Sequence, residues 1–371
     1  MRITDVTCHQ VDRYLFVRVV TDKGLIGLGE SGLTSRPLAV QGAVKQLRPL
    51  LLDMDPMRTE HIWQTLSRGG FFPHGKTLGA AIAAIDIALW DIKGKAFDVP
   101  VYTLMGGKVR DKVVCYPHCN TNDLMASAQA HVDAGWKFLR WGLPIEGDKI
   151  DPTKSVQLAI QQFADIRQRF GDEIELCFDI HTRLNPSEAV YLCNAVEPYR
   201  PFFMEDPLRS ESPQAFHRLR ERTNVPLAAG EQFASKWDFR ELIDHDLIDY
   251  ARIDLCIAGG ITEALKIAGW CETHYIRLAT HNPLGPVSSA ACLHLNLACP
   301  NVGVQEQPSR PGTAMTECMP VQTEWEDGYL IPPTRPGLGV EFNREAAEKH
   351  AAEPGPGRPT CHRLDGSFTN W

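Results

Sequence analysis

From Lys112 onward, short apolar runs alternate with helical stretches along the chain. In order they read VVCYPHCN, KFLRWGL, IELCFDIH, PFFMED, VPLAAGE, LIDYARID, IRLATH and NVGVQE. Apolar runs of this length, separated by helix-length segments, predict βα units and a parallel sheet. Each run closes on a polar or ionisable residue: His118, Arg140, Asp179 with His181, Glu205, Glu231, Asp254, His281 and Glu306. Eight strands that each deliver a polar side chain at the C-terminal end match the way a (β/α)8 barrel builds a site. An open doubly wound sheet would reverse its strand order partway, and those ends would not converge.

The first hundred residues carry a different texture. Val11 to Thr21 and Leu25 to Gly29 flank the turn Asp22-Lys-Gly24 and predict a hairpin. Ala39 to Leu52 is amphipathic, whereas Thr77 to Ala96 is apolar on several faces and predicts a buried helix. The fold class expected is therefore α/β, a (β/α)8-type (TIM-like) barrel over residues 112–325 with an α+β unit over 1–111. Residues 326–371 form a C-terminal segment rich in turns. From Ala351 this segment is dense in Pro and Gly without helical period, which predicts an extended arm or a disordered tail.

Composition narrows the class. The chain has 371 residues, 43% of them hydrophobic and 23% charged, with a net charge of −8. No apolar run is long enough to span a membrane. An acidic balance without a basic stripe argues against nucleic acid as a partner. The opening residues Met1-Arg-Ile-Thr-Asp-Val lack the apolar core of a secretory signal, so a cytoplasmic protein is expected. The eleven cysteines show no CxxC spacing, and several sit in apolar runs, where they read as packing residues.

Asp179, Glu205 and Glu231 follow one another at intervals of 26 residues on three successive predicted strands. Three carboxylates meeting at a barrel mouth would repel one another unless a cation neutralised them. All-oxygen ligation suits a hard divalent ion, most simply Mg2+. Taken singly, each acid could equally be a solvated loop residue or a helix N-cap; the matched spacing favours the ligand reading. His181 would share a side with Asp179 if the strand continued. Asp254 and His281 end neighbouring runs, and a carboxylate beside an imidazole fixes its tautomer and raises its basicity, as a general base requires. The other histidines, His217 and His245 among them, fall on predicted helices, surface turns or the tail and carry no such pattern. Gly27-Leu-Gly-Glu-Ser-Gly32 satisfies GxGxxG, but it begins inside a hairpin strand rather than a βαβ unit, so nucleotide binding is not expected.

With these residues in view the chain resembles the enolase superfamily, in its mandelate-racemase-like subgroup, over residues 1 to about 345. The stretches that carry the likeness include Ile87-Ala-Leu-Trp-Asp-Ile-Lys-Gly-Lys, Phe178-Asp-Ile-His, Met204-Glu-Asp-Pro, Gly230-Glu-Gln-Phe and Gln305-Glu-Gln. The resemblance implies a capping domain across the barrel mouth, joined by the C-terminal segment. It also implies abstraction of the proton α to a carboxylate, with Mg2+ stabilising the enediolate. Within the subgroup the chain is similar to acid-sugar dehydratases that act on hexonates such as D-galactonate, D-mannonate or D-gluconate and yield 2-keto-3-deoxy acids. His281 with Asp254 would then be the general base, His181 the general acid for the departing 3-hydroxyl, and Glu306 a contact to substrate.

His118 and Arg140 look like the mannonate-type pattern and are further substrate-contact candidates. No tyrosine follows Arg140 before Tyr191, however, and Asp254 stands where mannonate-type enzymes lack an acid. The second-strand position reads Leu139-Arg140-Trp141-Gly142, without the KxK of the racemases, which disfavours racemisation. An epimerase or a non-catalytic metal-binding member remain the alternatives. Selectivity is expected in two capping loops, Ser31 to Pro37 and Phe71 to Thr77, with His74 as a candidate contact. The resemblance also implies a homo-oligomer acting on a small anionic substrate.

Overall fold

The computed structural model describes residues 1–352 and 360–370. Part of the Pro- and Gly-rich tail expected to be extended or disordered, residues 353–359 and 371, lies outside the described residues.

The chain opens with an antiparallel sheet of β1 (Ile3–Val11), β2 (Tyr14–Thr21) and β3 (Ile26–Ser31), in that order. The hairpin expected around Asp22-Lys-Gly24 is the β2–β3 pair, with Gly24 at φ +76°. β1 was not expected, because its sequence ITDVTCHQV mixes polar and apolar residues without clean alternation. Three helices follow, α1 (Pro37–Leu51), α2 (Thr59–Arg68) and α3 (Lys76–Ala96); α1 and α3 pack on this sheet and α2 packs on α3. α3 is buried along most of its length, as its apolar residues on several faces require. The glycines of the GxGxxG stretch serve this packing. A Cβ at Gly27 would stand 2.0 Å from the carbonyl oxygen of Ala88, and one at Gly29 1.8 Å from that of Ala84. Glycine here lets helix backbone lie directly on strand backbone, and no phosphate cradle is formed.

After the short helix α4 (Val101–Leu104), eight parallel strands follow. They are β4 (Val113–Tyr116), β5 (Phe138–Gly142), β6 (Glu175–Asp179), β7 (Phe203–Glu205), β8 (Leu227–Ala229), β9 (Tyr250–Ala251), β10 (Arg277–Thr280) and β11 (Val302–Glu306). All eight apolar runs of the sequence are strands. Between them lie α5 (Leu124–Asp133), α6 (Pro152–Phe170), α7 (Pro186–Val196), α8 (Ala215–Arg220), α9 (Lys236–Asp244), α10 (Ile261–Thr273) and α11 (Pro286–Ala298). The strands are laddered in the order β5 through β11, and β4 pairs with β11. The ring closes where His118 bridges Arg140 in parallel and the Cys119 N–H donates to the Arg140 carbonyl at 2.8 Å. Each strand contributes one side chain to an inner layer: Tyr116, Phe138, Cys177, Phe203, Ala228, Tyr250, Ala279 and Val304. This layer fills the barrel, so chemistry is confined to its C-terminal mouth.

β11 is not followed by a barrel helix of its own. The chain instead runs into a hairpin, β12 (Glu324–Glu326) and β13 (Tyr329–Ile331), that pairs with the start of β4. It then returns to the N-terminal unit through α12 (Arg344–Lys349). Phe342 packs on Phe16 at 5.6 Å between ring centroids, and Ala351 bridges Val11. A last two-stranded ribbon, β14 (Cys361–His362) with β15 (Phe368–Thr369), lies against the β5–α6 loop, where the Ile150 N–H donates to the His362 carbonyl at 2.9 Å.

Buried polar groups fasten the N-terminal unit to the barrel. The Trp63 indole donates to the Gly259 carbonyl at 2.7 Å, and Asp86 accepts from the backbone and hydroxyl of Thr262. Glu30, fully buried at the end of β3, accepts from the N–H groups of Gly285 and Ser288 at the start of α11. A carboxylate at a helix N-terminus meets unpaired N–H groups and a favourable dipole. Burial nevertheless dominates and pushes the Glu30 carboxyl up to about 7, with those two N–H groups opposing. A carboxyl raised on folding stabilises the fold below its unfolded value and loses that contribution as the pH rises through 7. Glu30→Gln cannot titrate. The stability of wild type relative to this variant should therefore fall between pH 5 and pH 8, by at most about 3 kcal/mol. Paired thermal melts measure this, and a difference that is flat or grows with pH would contradict it.

Candidate functional site

The strand register builds the site. β6 and β7 pair so that Asp179 stands beside Glu205 at adjacent strand ends, and Glu231 follows β8 by two residues. The three predicted carboxylates thus come together at the mouth, where all have their carboxyls buried or nearly so. β6 stops at Asp179 rather than continuing. The chain turns through left-handed backbone at His181 (φ +55°) and Thr182 (φ +58°), and again at Asp206 (φ +39°) after β7. Such conformations in non-glycine residues are costly and persist where surrounding structure enforces them. In this turn the His181 N–H donates to Asp179 Oδ1 at 2.6 Å, and the residue still borders the cavity.

The cluster is electrostatically strained in the way a cation would relieve. Burial raises the pKa of Glu205 and of Glu231, and neighbouring carboxylates add to both. Asp206, also buried, is pushed well above the usual carboxylate range by burial and then by Glu205 and Asp179. Burial opposes the charge on Asp179 too, but the guanidinium of Arg140, which donates to its Oδ2, holds its carboxyl below the usual range. Among the described residues Glu205 Oε2 is buried without a hydrogen-bond partner. Glu205 stands on the strand between those that lead to Asp179 and Glu231, and an orphaned carboxylate oxygen flanked in this way is the donor type a hard divalent ion takes.

Beside this floor stands His281, directly after β10. Its Nδ1 lies 2.8 Å from Asp254 Oδ2 and its Nε2 3.3 Å from Glu231 Oε2. Asp254 is fully buried, and its other oxygen accepts from the Cys256 N–H at 2.7 Å. An acceptor-only carboxylate at Nδ1 puts the proton there and turns Nε2 toward the cavity. Burial works against protonation of His281, but Glu231, Glu306 and Asp254 outweigh it and push its pKa up to about 9.

The substrate-contact candidates are arranged as a wall. His118 Nε2 lies 2.6 Å from Glu306 Oε1, and the second Glu306 oxygen accepts from the Asn282 N–H at 2.8 Å and from Arg252 Nη2 at 2.5 Å. Burial lowers the pKa of His118, and the neighbouring Arg140 lowers it further. His118, Arg140 and Glu306 all border the cavity. His74 does not. Its ring nitrogens face Ser67 Oγ at 2.9 Å and the Ala234 carbonyl at 3.3 Å, so it ties α2 to the loop after β8.

The cavity has a volume of about 1230 Å³. Its roof includes Gly32 to Arg36 from the loop after β3, one of the two stretches expected to set selectivity. Its outer wall includes Cys361, Phe368 and Asn370, and the Asn370 amide donates to the Thr182 carbonyl at 2.7 Å. Sequence reading missed this C-terminal wall and also Arg252. Arg252 is fully buried, donates to Glu205 Oε1 at 2.6 Å and to the Ala279 carbonyl at 2.8 Å, and joins Glu205 to Glu306. An arginine inside the apolar run LIDYARID was the available signal, since a buried cation needs partners.

Residues 2–106 match the family model for the mandelate racemase / muconate lactonizing enzyme N-terminal domain, and residues 123–346 match the enolase C-terminal domain-like model. The chain is 37% identical to a D-galactonate dehydratase of Ralstonia nicotianae, over the whole length of both proteins. Among solved structures it superposes with a TM-score of 0.93 on an enolase from Pantoea ananatis with bound D-gluconate and Mg. The identity there is 32%, covering 100% of this chain and 99% of the other. A putative galactarate dehydratase from Agrobacterium radiobacter, with bound Na and L-malate, also gives a TM-score of 0.93, at 29% identity over the full length of both chains.

Proposed function

This chain belongs to the mandelate racemase / muconate lactonizing enzyme family of the enolase superfamily, and we propose from that membership how it works as a sugar-acid dehydratase, a hydro-lyase, on a hexonate. The observation that carries the reading is the placement of the His281–Asp254 pair and His181 around one floor of three carboxylates.

Asp179, Glu205 and Glu231 would hold Mg2+. When bound, this ion supplies the positive charge that offsets the negative charge developing on the substrate carboxylate as its α-proton leaves. In its neutral form His281 takes the proton from C2 at Nε2, with Asp254 fixing the ring and stabilising the imidazolium that results, the state its raised pKa favours. The C3–O bond then breaks, and His181 gives its proton to the departing hydroxyl, which leaves as water. The enol so formed gains a proton at C3 and loses the proton of its C2 hydroxyl, and so becomes the 2-keto-3-deoxy acid. Glu306 and His118 are placed to hydrogen-bond substrate hydroxyls, and Arg140 to hold either Asp179 or a substrate oxygen.

Arg13, Arg36, Lys76 and Arg183 also border the cavity, where Arg209 is paired with Glu211, so cationic side chains outnumber acidic ones at its rim although the chain as a whole is acidic. Such a rim raises the local concentration of an anionic acid. The D-galactonate dehydratase relatives and the gluconate-bound structure support an aldonate of six carbons as the substrate class.

The test is a screen of D-galactonate, D-gluconate and D-mannonate with purified protein and Mg2+, read by formation of a 2-keto acid. At least one hexonate should be dehydrated, and activity should disappear on chelation and return with Mg2+. Exchange between stereoisomers without loss of water would show an epimerase instead.

A further inference from the structure

Two histidines that carried no pattern in the sequence come together on the outer face of the barrel. His217 projects from α8, while Glu241 lies on α9 and His245 follows directly after it, four residues on and on the same face. His217 Nε2 lies 2.8 Å from Glu241 Oε1, and His245 Nε2 lies 4.0 Å from the same oxygen. The two imidazole rings are 5.0 Å apart between centroids, and one ligand atom from each of the three residues falls within 4.8 Å of the others. No lysine or arginine forms an ion pair with Glu241 among the described residues; its ion-pair partners there are the two imidazoles.

Two neutral imidazoles and a carboxylate form the borderline donor set preferred by Zn2+ and its neighbours, and not by the hard ions suited to an all-oxygen site. In a tetrahedral zinc site with bonds of about 2.0–2.2 Å, ligand atoms stand roughly 3.4 Å apart. The observed spacing, up to 4.8 Å, is wider than this, and the difference would be closed by rotation of the partly exposed side chains. Glu241 and His245 border a cavity of about 650 Å³, which leaves a fourth position for water.

The geometry points to a transition-metal site, formed by His217, Glu241 and His245, that takes a Zn2+-like cation and clips α8 to α9. These two helices follow β7 and β8, the strands that lead to Glu205 and Glu231. The site is separate from the carboxylate floor and differs from it in metal class.

The experiment measures Zn2+ bound per chain by equilibrium dialysis in saturating Mg2+, comparing wild type with the double variant His217→Asn/His245→Asn. Wild type should hold one more equivalent of Zn2+ than the variant. Added Zn2+ should raise the Tm of wild type by several degrees more than that of the variant. Because neither histidine belongs to the catalytic cavity, Mg2+-supported activity should be the same in both, which shows that the variant is folded. Glu241→Gln, which keeps the shape of the side chain, should weaken the extra equivalent at least tenfold and serves if the double variant does not fold. Equal Zn2+ stoichiometry in wild type and variants, or a Zn2+-induced rise in Tm that the substitutions leave intact, would overturn the assignment.

Discussion

His281→Asn should lower kcat for dehydration by about 10²–10⁴-fold, the range that a positioned general base contributes. It should also stop exchange of the C2 proton with solvent. The two readouts together separate the base from the acid. In D2O, an enzyme that abstracts the C2 proton and returns it labels unreacted substrate with deuterium, whether or not water is lost afterwards. His181→Asn removes the acid needed only after that step, so it should lose product formation while C2 exchange persists. The contrast rests on geometry: His281 is held by Asp254 at 2.8 Å on one side of the floor, and His181 sits beside Asp179 on another. Asp254→Asn should resemble His281→Asn, because an amide at that position no longer enforces the tautomer with the free nitrogen facing the cavity. C2 exchange that survives in His281→Asn, or vanishes in His181→Asn alone, would reverse the assignment of base and acid.

The residues behind these predictions were readable because a barrel puts the end of every strand in one place. An apolar run that finishes in Asp, Glu or His is legible in one dimension, and the parallel topology converts eight such endings into one cluster. That is why Asp179, Glu205, Glu231, Asp254, His281 and Glu306 could be picked out together. What the sequence could not convey was which of these polar groups face substrate and which face one another. Arg140 is engaged with Asp179, and Glu306 receives hydrogen bonds from three sides. His74 was an expected contact because its loop lies near the mouth, yet its ring is used to hold α2 against the barrel. Glu30 reads as an ordinary strand residue, and only the folded chain shows that it caps a helix 255 residues away. The C-terminal wall was hidden for another reason: strands of two residues have no periodicity to detect.

Arg252→Met should cost the fold about 3–5 kcal/mol, the usual penalty for leaving buried charges without their partner. The Arg252 guanidinium is fully buried beneath the site. It donates to Glu205 from Nε and to Glu306 from Nη2, two carboxylates with no more than about 1% of their side chains exposed. Its third donor satisfies the Ala279 carbonyl, and its Cζ lies 5.7 Å from the centre of the Tyr116 ring. Methionine fills a similar volume, so the loss comes from charge and hydrogen bonds rather than from a cavity. Glu306 retains the Asn282 N–H and His118, but Glu205 loses its only side-chain hydrogen bond among the described residues. If unpaired charge is the cause, removing part of it should help: Arg252→Met/Glu306→Gln should be more stable than Arg252→Met alone, although each single change destabilises wild type. Arg252→Lys keeps a charge but offers a point donor where a planar fork spans two carboxylates, so its loss should fall between wild type and methionine. Glu205 is also a proposed ligand, and removing the group that orients it should weaken Mg2+ binding about 10–100-fold. Thermal melts of the four proteins form the double-mutant cycle, and Mg2+ titration of the folded variants supplies the second readout. A double variant no more stable than Arg252→Met, with Mg2+ affinity unchanged, would reduce Arg252 to a packing residue and leave the orientation of Glu205 to the strand alone.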